Sequence, residues 1–165
     1  VIVAFDPGLN GALAWVDDDL SLAAVEDMPS LAREVDPSLL VLALTHGPKI
    51  SCAVVEHQQA YPRQGVSSSF KTGMGYGAVL GVLAGLRVPV FLRTSSAWKR
   101  RLHLNNDKER SRQEAIHRWP SQAELFKRKK DEGRAEAALL GVSFLLEGNG
   151  PVEPVKPRRR LTKVR

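Results

Sequence analysis

Val1-Ile2-Val3-Ala4-Phe5-Asp6-Pro7-Gly8-Leu9-Asn10-Gly11-Ala12-Leu13-Ala14-Trp15-Val16 opens the chain. Residues 1–5 are an unbroken apolar run, the pattern of a strand covered on both faces. Asp6 ends that run and Pro7-Gly8 turns the chain at once, so a carboxylate emerges at the strand's end. Residues 12–16 and about 21–25 follow after short polar connections, which predicts a three-stranded meander with Asp17-Asp18-Asp19 as a turn. Asp36-Pro37 opens a helix to about Thr45, with proline at its first position and Gly47 past its end. Residues 51–56 and 88–92 are further buried strands, and Pro89 puts the latter near a sheet edge.

Between those two strands, residues 67–87 read as a helix in which Gly73, Gly77, Gly81 and Gly85 recur every four residues. Glycine in a helix costs about 1 kcal/mol relative to alanine, so four of them need a compensating reason. Close approach of another backbone to that bare stripe supplies one. A glycine-rich phosphate loop is the rival reading, weakened because Ser67-Ser68-Ser69 before it is not a strand. The last third is helical. Asp107 caps a helix to Trp119, stopped by Pro120; Ser121-Gln122-Ala123-Glu124 matches a capping box for a short helix; Asp131 caps the final helix. The sum is a mixed α/β sheet with helices on its faces. It forms one domain over residues 1–148, followed by a basic Pro/Arg-rich tail, residues 149–165, expected to be flexible.

The 165 residues suffice for one core. No apolar run approaches the ~20 residues of a membrane span, and no secretory leader is visible. The chain begins at Val1 without an initiator Met, so a trimmed or processed chain with a removed targeting segment stays open. Cys52 is the only cysteine, which excludes an internal disulfide and fits a reducing compartment. His46, His57, His103 and His117 lack zinc-ligand spacing. The net charge of +6 is uneven. Before Lys49 the only basic side chain is Arg33, whereas positive charge gathers in residues 99–130 and 156–165. A polyanion docking on the second half is the implied partner.

Glu56 ends its strand as Asp6 ends the first, and acids at the ends of neighbouring strands can converge on one sheet edge. Clustered carboxylates repel and raise one another's pKa unless a hard divalent cation joins them. Alternation sends His57 to the face opposite Glu56 and returns Gln58 to it. A third carboxylate is expected from Asp131-Glu132-Gly133-Arg134-Ala135-Glu136. Glu132 and Glu136 share a helix face, and Asp131 joins Glu136 only if it is the non-helical cap. Geometry leaves Asp131 and Glu132 open. Glu136, set among alanines and leucines, needs a cation or an arginine nearby.

Phe5 to Ala14, Val55-Glu56-His57-Gln58, Gly73-Met74-Gly75-Tyr76-Gly77, Trp98-Lys99-Arg100 and residues 127–137 occur in that order. Together they resemble the RuvC-type Holliday junction resolvases of the ribonuclease H-like superfamily, nearest to the plastid and phage/prophage branches. The resemblance implies a ribonuclease H-like fold and a metal-dependent endodeoxyribonuclease, with Asp6, Glu56, Asp131 and Glu136 binding two Mg²⁺ ions (Mn²⁺ as substitute). Plastid and phage members often carry His where this chain has Glu132, which leaves the role of Glu132 open. Lys99 and Lys108 resemble two family lysines that contact the scissile region, Lys108 also neutralising charge in the transition state. Arg100, Arg101, Arg110, Lys127, Lys129 and Lys130 would follow backbone phosphates. A polar loop, residues 61–71, with Arg63, Gln64, Phe70 and Lys71, would meet the junction centre, where Phe70 stacks on a base or else packs in the core.

The implied partners are four-way junction DNA and a second copy of the chain in a two-fold dimer through the glycine stripe. No membrane and no small-molecule cofactor is expected. The implied role is paired symmetric nicking during DNA recombination and nucleoid segregation. The implied compartment is the chloroplast nucleoid, with a bacterial or phage-infected cytoplasm as the alternative. Rival readings are a nonenzymatic branched-DNA-binding module, a ribonuclease H acting on RNA–DNA hybrids, and a fragment of an actin-like ATPase or kinase, for whose second domain the chain has no room.

Overall fold

A computed structural model describes residues 1–59 and 65–148. The opening apolar run forms β1 (Ile2–Asp6), and the meander continues through β2 (Ala12–Val16) and β3 (Leu22–Asp27). A small hairpin, β4 (Ser30–Leu31) and β5 (Glu34–Val35), precedes α1 (Pro37–His46). Asp36 caps α1 through Oδ1, which accepts from the Ser38 and Leu39 N–H groups, and Gly47 ends it. β6 (Cys52–Glu56) then leads by way of α2 (Val66–Gly85) to β7 (Val90–Arg93). The order β3-β2-β1-β6-β7 is antiparallel through the meander and parallel across β1, β6 and β7. β7 is an edge strand, as Pro89 requires.

The remaining helices are α3 (Ser95–Arg101), α4 (Lys108–Arg118) and α5 (Glu132–Leu146). Alternation divides the sheet's side chains between two cores. Val3, Phe5, Leu13, Trp15, Ala53 and Val55 meet α1 and α2. Ile2, Ala4, Ala14, Val16 and Val54 meet α5, with Trp98, Trp119 and Phe126. Asp6 and Glu56 continue the second parity and face the α5 layer. Arg134 ties α5 to the end of β3 by a two-pronged contact with Asp27 at 2.6 and 2.8 Å. Cys52 lies half-buried in β6, its thiol pushed up mainly by burial. Among the described residues, no helix is long and apolar enough to cross a membrane.

Three expectations change. Residues 120–126 are a 3-10 segment kinked at Gln122 (φ −117°) with no side-chain cap; Glu124 pairs with Lys127 at 3.0 Å, so Ser121–Glu124 is no capping box. Phe70 and Lys71 lie on α2 rather than in a loop, and Phe70 is 67% exposed, which removes its core-packing alternative. No backbone among the described residues closes on the bare positions Gly73, Gly77, Gly81 and Gly85: a Cβ at any of them would find none of their atoms within 4 Å. Arg63, Gln64 and the tail at residues 149–165 lie outside the described residues.

Candidate active site

Asp6 and Glu56 end adjacent parallel strands, so both carboxylates stand at the sheet edge where β1 and β6 finish. Glu136, one turn into α5, crosses that edge from the helical layer and is buried. The three carboxyls act on one another. Asp6 is pushed up to about 7, first by burial and then by the negative fields of Glu56 and Glu136, with Lys108 and Lys99 opposing. Glu56 is likewise raised, first by burial, against the hydrogen bond from Trp98 and with the Glu136 charge adding. Burial of Asp6 and Glu56 beside a third acid thus disfavours their charged forms, a conflict that a hard cation relieves.

Two neighbours restrain the acids. The Trp98 indole, itself buried, donates Nε1–H to Glu56 Oε2 at 2.7 Å. Lys99 Nζ is buried and contacts Glu136 Oε1 at 2.7 Å. Both donors come from α3, capped where the Ala97 N–H donates to Thr94 Oγ1. Lys99 therefore lies among the acids rather than on the exposed surface. Among the described residues no three His, Cys, Asp or Glu side chains stand as a closed ligand set. With Trp98 on Glu56 and Lys99 on Glu136, the acids share a field rather than a common point. Their all-oxygen donor chemistry and their repulsion fit a hard divalent cation.

Asp131 is placed differently from the expectation. It precedes α5 without capping it by its side chain. Both its oxygens are taken by Arg128: the backbone N–H at 2.8 Å and the guanidinium at 2.8 to 3.1 Å. Burial alone would raise this carboxyl, but Arg128 outweighs it and holds it below the usual carboxylate range. Asp131 thus shapes the entry to α5 and is not among the charges that act most on Asp6. Glu132 instead reaches Lys108 Nζ at 2.6 Å. Lys108 is held above its ordinary value, first by that hydrogen bond and also by the Glu136 and Asp6 charges.

His57 turns to the opposite face, as alternation requires, and its ring meets Tyr76 edge-on at 6.1 Å. Gln58 returns to the acid side, its Nε2 3.5 Å from Glu56 Oε1. A contact between main chains sets the spacing of the site. A Cβ on Gly133 would lie 2.5 Å from the Asn10 carbonyl oxygen, and one on Gly11 would lie 2.0 Å from the Asp6 carbonyl oxygen. The start of α5 therefore rests directly on the β1–β2 turn.

An open groove of about 960 Å³ runs from Asp6 and Lys108 along the β1–β2 turn to the first turns of α2. Lys71 lines it, and Arg100, Arg110, Lys127, Lys129 and Lys130 are exposed on the elements beyond. Arg101, also exposed, donates to the Leu146 carbonyl. Trp98 and the anchoring Arg128 escaped the reading of the sequence. An indole N–H enclosed in a core needs an acceptor, and that was the signal available for Trp98.

The chain matches no known family model and no curated protein. Solved structures do resemble it. RuvC of Thermus thermophilus in complex with a Holliday junction substrate aligns with a TM-score of 0.65 at 21% identity, covering 89% of this chain and 95% of that one. A second structure of Thermus thermophilus RuvC aligns with a TM-score of 0.55 at 18% identity, covering 89% and 96%. With its mixed five-stranded sheet between helical layers, the chain has the ribonuclease H-like fold of these structures.

Proposed function

We propose that this chain is a metal-dependent endonuclease that makes paired, symmetric nicks in four-way DNA junctions. The observation that carries the reading is the Asp6 carboxyl, pushed up to about 7 beside Glu56 and Glu136 at the end of a groove with basic flanks. The likeness to a RuvC bound to a Holliday junction supports the same choice of substrate.

Asp6, Glu56 and Glu136 would hold Mg²⁺ or Mn²⁺, with Glu132 a better-placed fourth acid than Asp131, whose oxygens Arg128 occupies. When bound there, two such ions would activate water and offset charge on the leaving 3′ oxygen. The chain's own groups do the rest. Trp98 fixes the direction of the Glu56 carboxylate, and Lys99 offsets the charge of buried Glu136. Lys108, 58% exposed and lining the groove, carries positive charge to the phosphate that enters beside Asp6. There it opposes the negative charge that builds up as water attacks in line. Exposed Phe70 offers a ring on which an unpaired base at the junction centre stacks.

A four-way junction needs two matched cuts, so the working unit is a two-fold dimer. The α2 glycine stripe, uncovered among the described residues, is the proposed contact. The sequence resemblance favours the chloroplast nucleoid as the compartment and nucleoid segregation as the setting, with a bacterial or phage-infected cytoplasm as the alternative. The test is a synthetic four-way junction incubated with and without Mg²⁺ and resolved on a denaturing gel. Symmetric nicks that need Mg²⁺ and vanish in Asp6→Asn, while binding survives, are expected. Intact strands with Mg²⁺ present would overturn the proposal.

A further inference from the structure

The hairpin β4–β5 turns on two residues, Ala32 (φ 51°) and Arg33 (φ 64°), both left-handed. Tight hairpins of this kind ordinarily place Asn or Gly there, because a Cβ is strained at positive φ. The hairpin is nonetheless held firmly. The Asp36 N–H donates to the Pro29 carbonyl at 3.0 Å across its base. Val35 lies on α2 at Gly75, where an added Cβ would sit 3.1 Å from Val35 Cγ2. An anchored hairpin that keeps a strained arginine in its turn needs a reason at its tip.

The groove supplies one. Arg33 and Glu34 line it together with Asp6 and Lys108, and Lys71 and Thr72 of α2 line it as well. Arg33 is the single basic residue among the first 48, where acids are otherwise the charged residues. The acidic third of the chain thus brings its lone positive charge to the place where it borders the candidate active site. Arg33 and Lys71 are exposed, and neither makes an ion pair among the described residues. Among the described residues, the only acids that line the groove are Asp6 and the neighbouring Glu34.

We infer that the β4–β5 hairpin is a second DNA-gripping wall, in which Arg33, with Lys71, holds phosphates of the strand lying across Asp6. The basic elements of the chain's second half hold that strand from the other side. The inference rests on the nuclease reading and adds to it a residue from the acidic end of the chain. The contact is to the phosphodiester backbone and is independent of base sequence.

The test is the salt dependence of binding to a labelled four-way junction, followed by fluorescence anisotropy with the full chain in EDTA. Each phosphate contact contributes about 0.9 to the slope of log K against log salt. Arg33→Ala and Lys71→Ala should each lower the slope by about that amount, the double variant by about twice it, and Arg33→Lys should keep it. Arg33→Gly relaxes the left-handed turn, so it should lose the same slope with no fall in melting temperature. Lys49→Ala, at the far end of the sheet before β6, should leave the slope unchanged. An Arg33→Ala slope equal to that of the parent chain, or matched by Lys49→Ala, overturns the inference and leaves the nuclease reading standing. A parent chain that does not bind the junction removes both.

Discussion

Asp6→Asn should stabilise the metal-free protein, and by an amount that depends on pH. The folded carboxyl titrates near 7 against an ordinary 3.8, so between those values the folded state holds a proton that the unfolded chain has released. Stability therefore falls as pH rises through this window, by about 1.4 kcal/mol per pH unit from this group. Above pH 7 the penalty levels off on the order of 4 kcal/mol. Asparagine cannot ionise and escapes it. For a domain of this size each kcal/mol moves the melting temperature by about 2–4 °C, so the gain at pH 8 is roughly 8–16 °C at most. Thermal unfolding in EDTA at several pH values from 4 to 8, on both proteins, measures it. The gap should be widest at pH 8 and close towards pH 4. Mg²⁺ at pH 8 should raise the parent chain and leave the variant unmoved. A gap independent of pH, or a variant less stable at pH 8, would refute the reasoning that burial and like charge confine Asp6.

Two further outcomes follow from the restraints on the other acids. Trp98→Phe keeps an aromatic ring in the core, smaller than the indole, and deletes the Nε1–H that holds Glu56, so Mn²⁺ affinity should fall by about 10–100-fold; a Mn²⁺ titration with unchanged affinity would exclude the role. Lys99→Met strands the Glu136 carboxylate in the core and should cost about 3–5 kcal/mol in urea unfolding, most of it recovered by adding Glu136→Gln. Simple additivity of the two substitutions would show that the pair is not coupled.

Much of the site could be read from the chain because its acids follow apolar runs. Asp6 and Glu56 each close a strand whose alternation fixes their face, and the same alternation placed His57 against Tyr76 and Gln58 beside Glu56. Glu136 announced itself as a charge within an apolar helical face, and its counter-ion proved to be Lys99. What escaped were partners distant in sequence and residues with a local rival. Trp98 reaches Glu56 across 42 positions, and no periodicity encodes that. Asp131 looked like a cap or a ligand, yet Arg128, three residues before it, claims both its oxygens. The β4–β5 hairpin is too short for an alternating pattern and turns on residues that are poor turn formers, so no composition signal marked it.

The seating of Gly133 on Asn10 and Gly11 makes the interval between the first and last acids a property of the polypeptide itself. Side chains elsewhere in the two cores can be exchanged at constant volume without altering that gauge. A single inserted residue between Asp6 and Gly11, or between Gly133 and Glu136, would slide one carboxylate past the other. Two bare stretches of backbone, rather than any side chain, serve as the ruler of that interval.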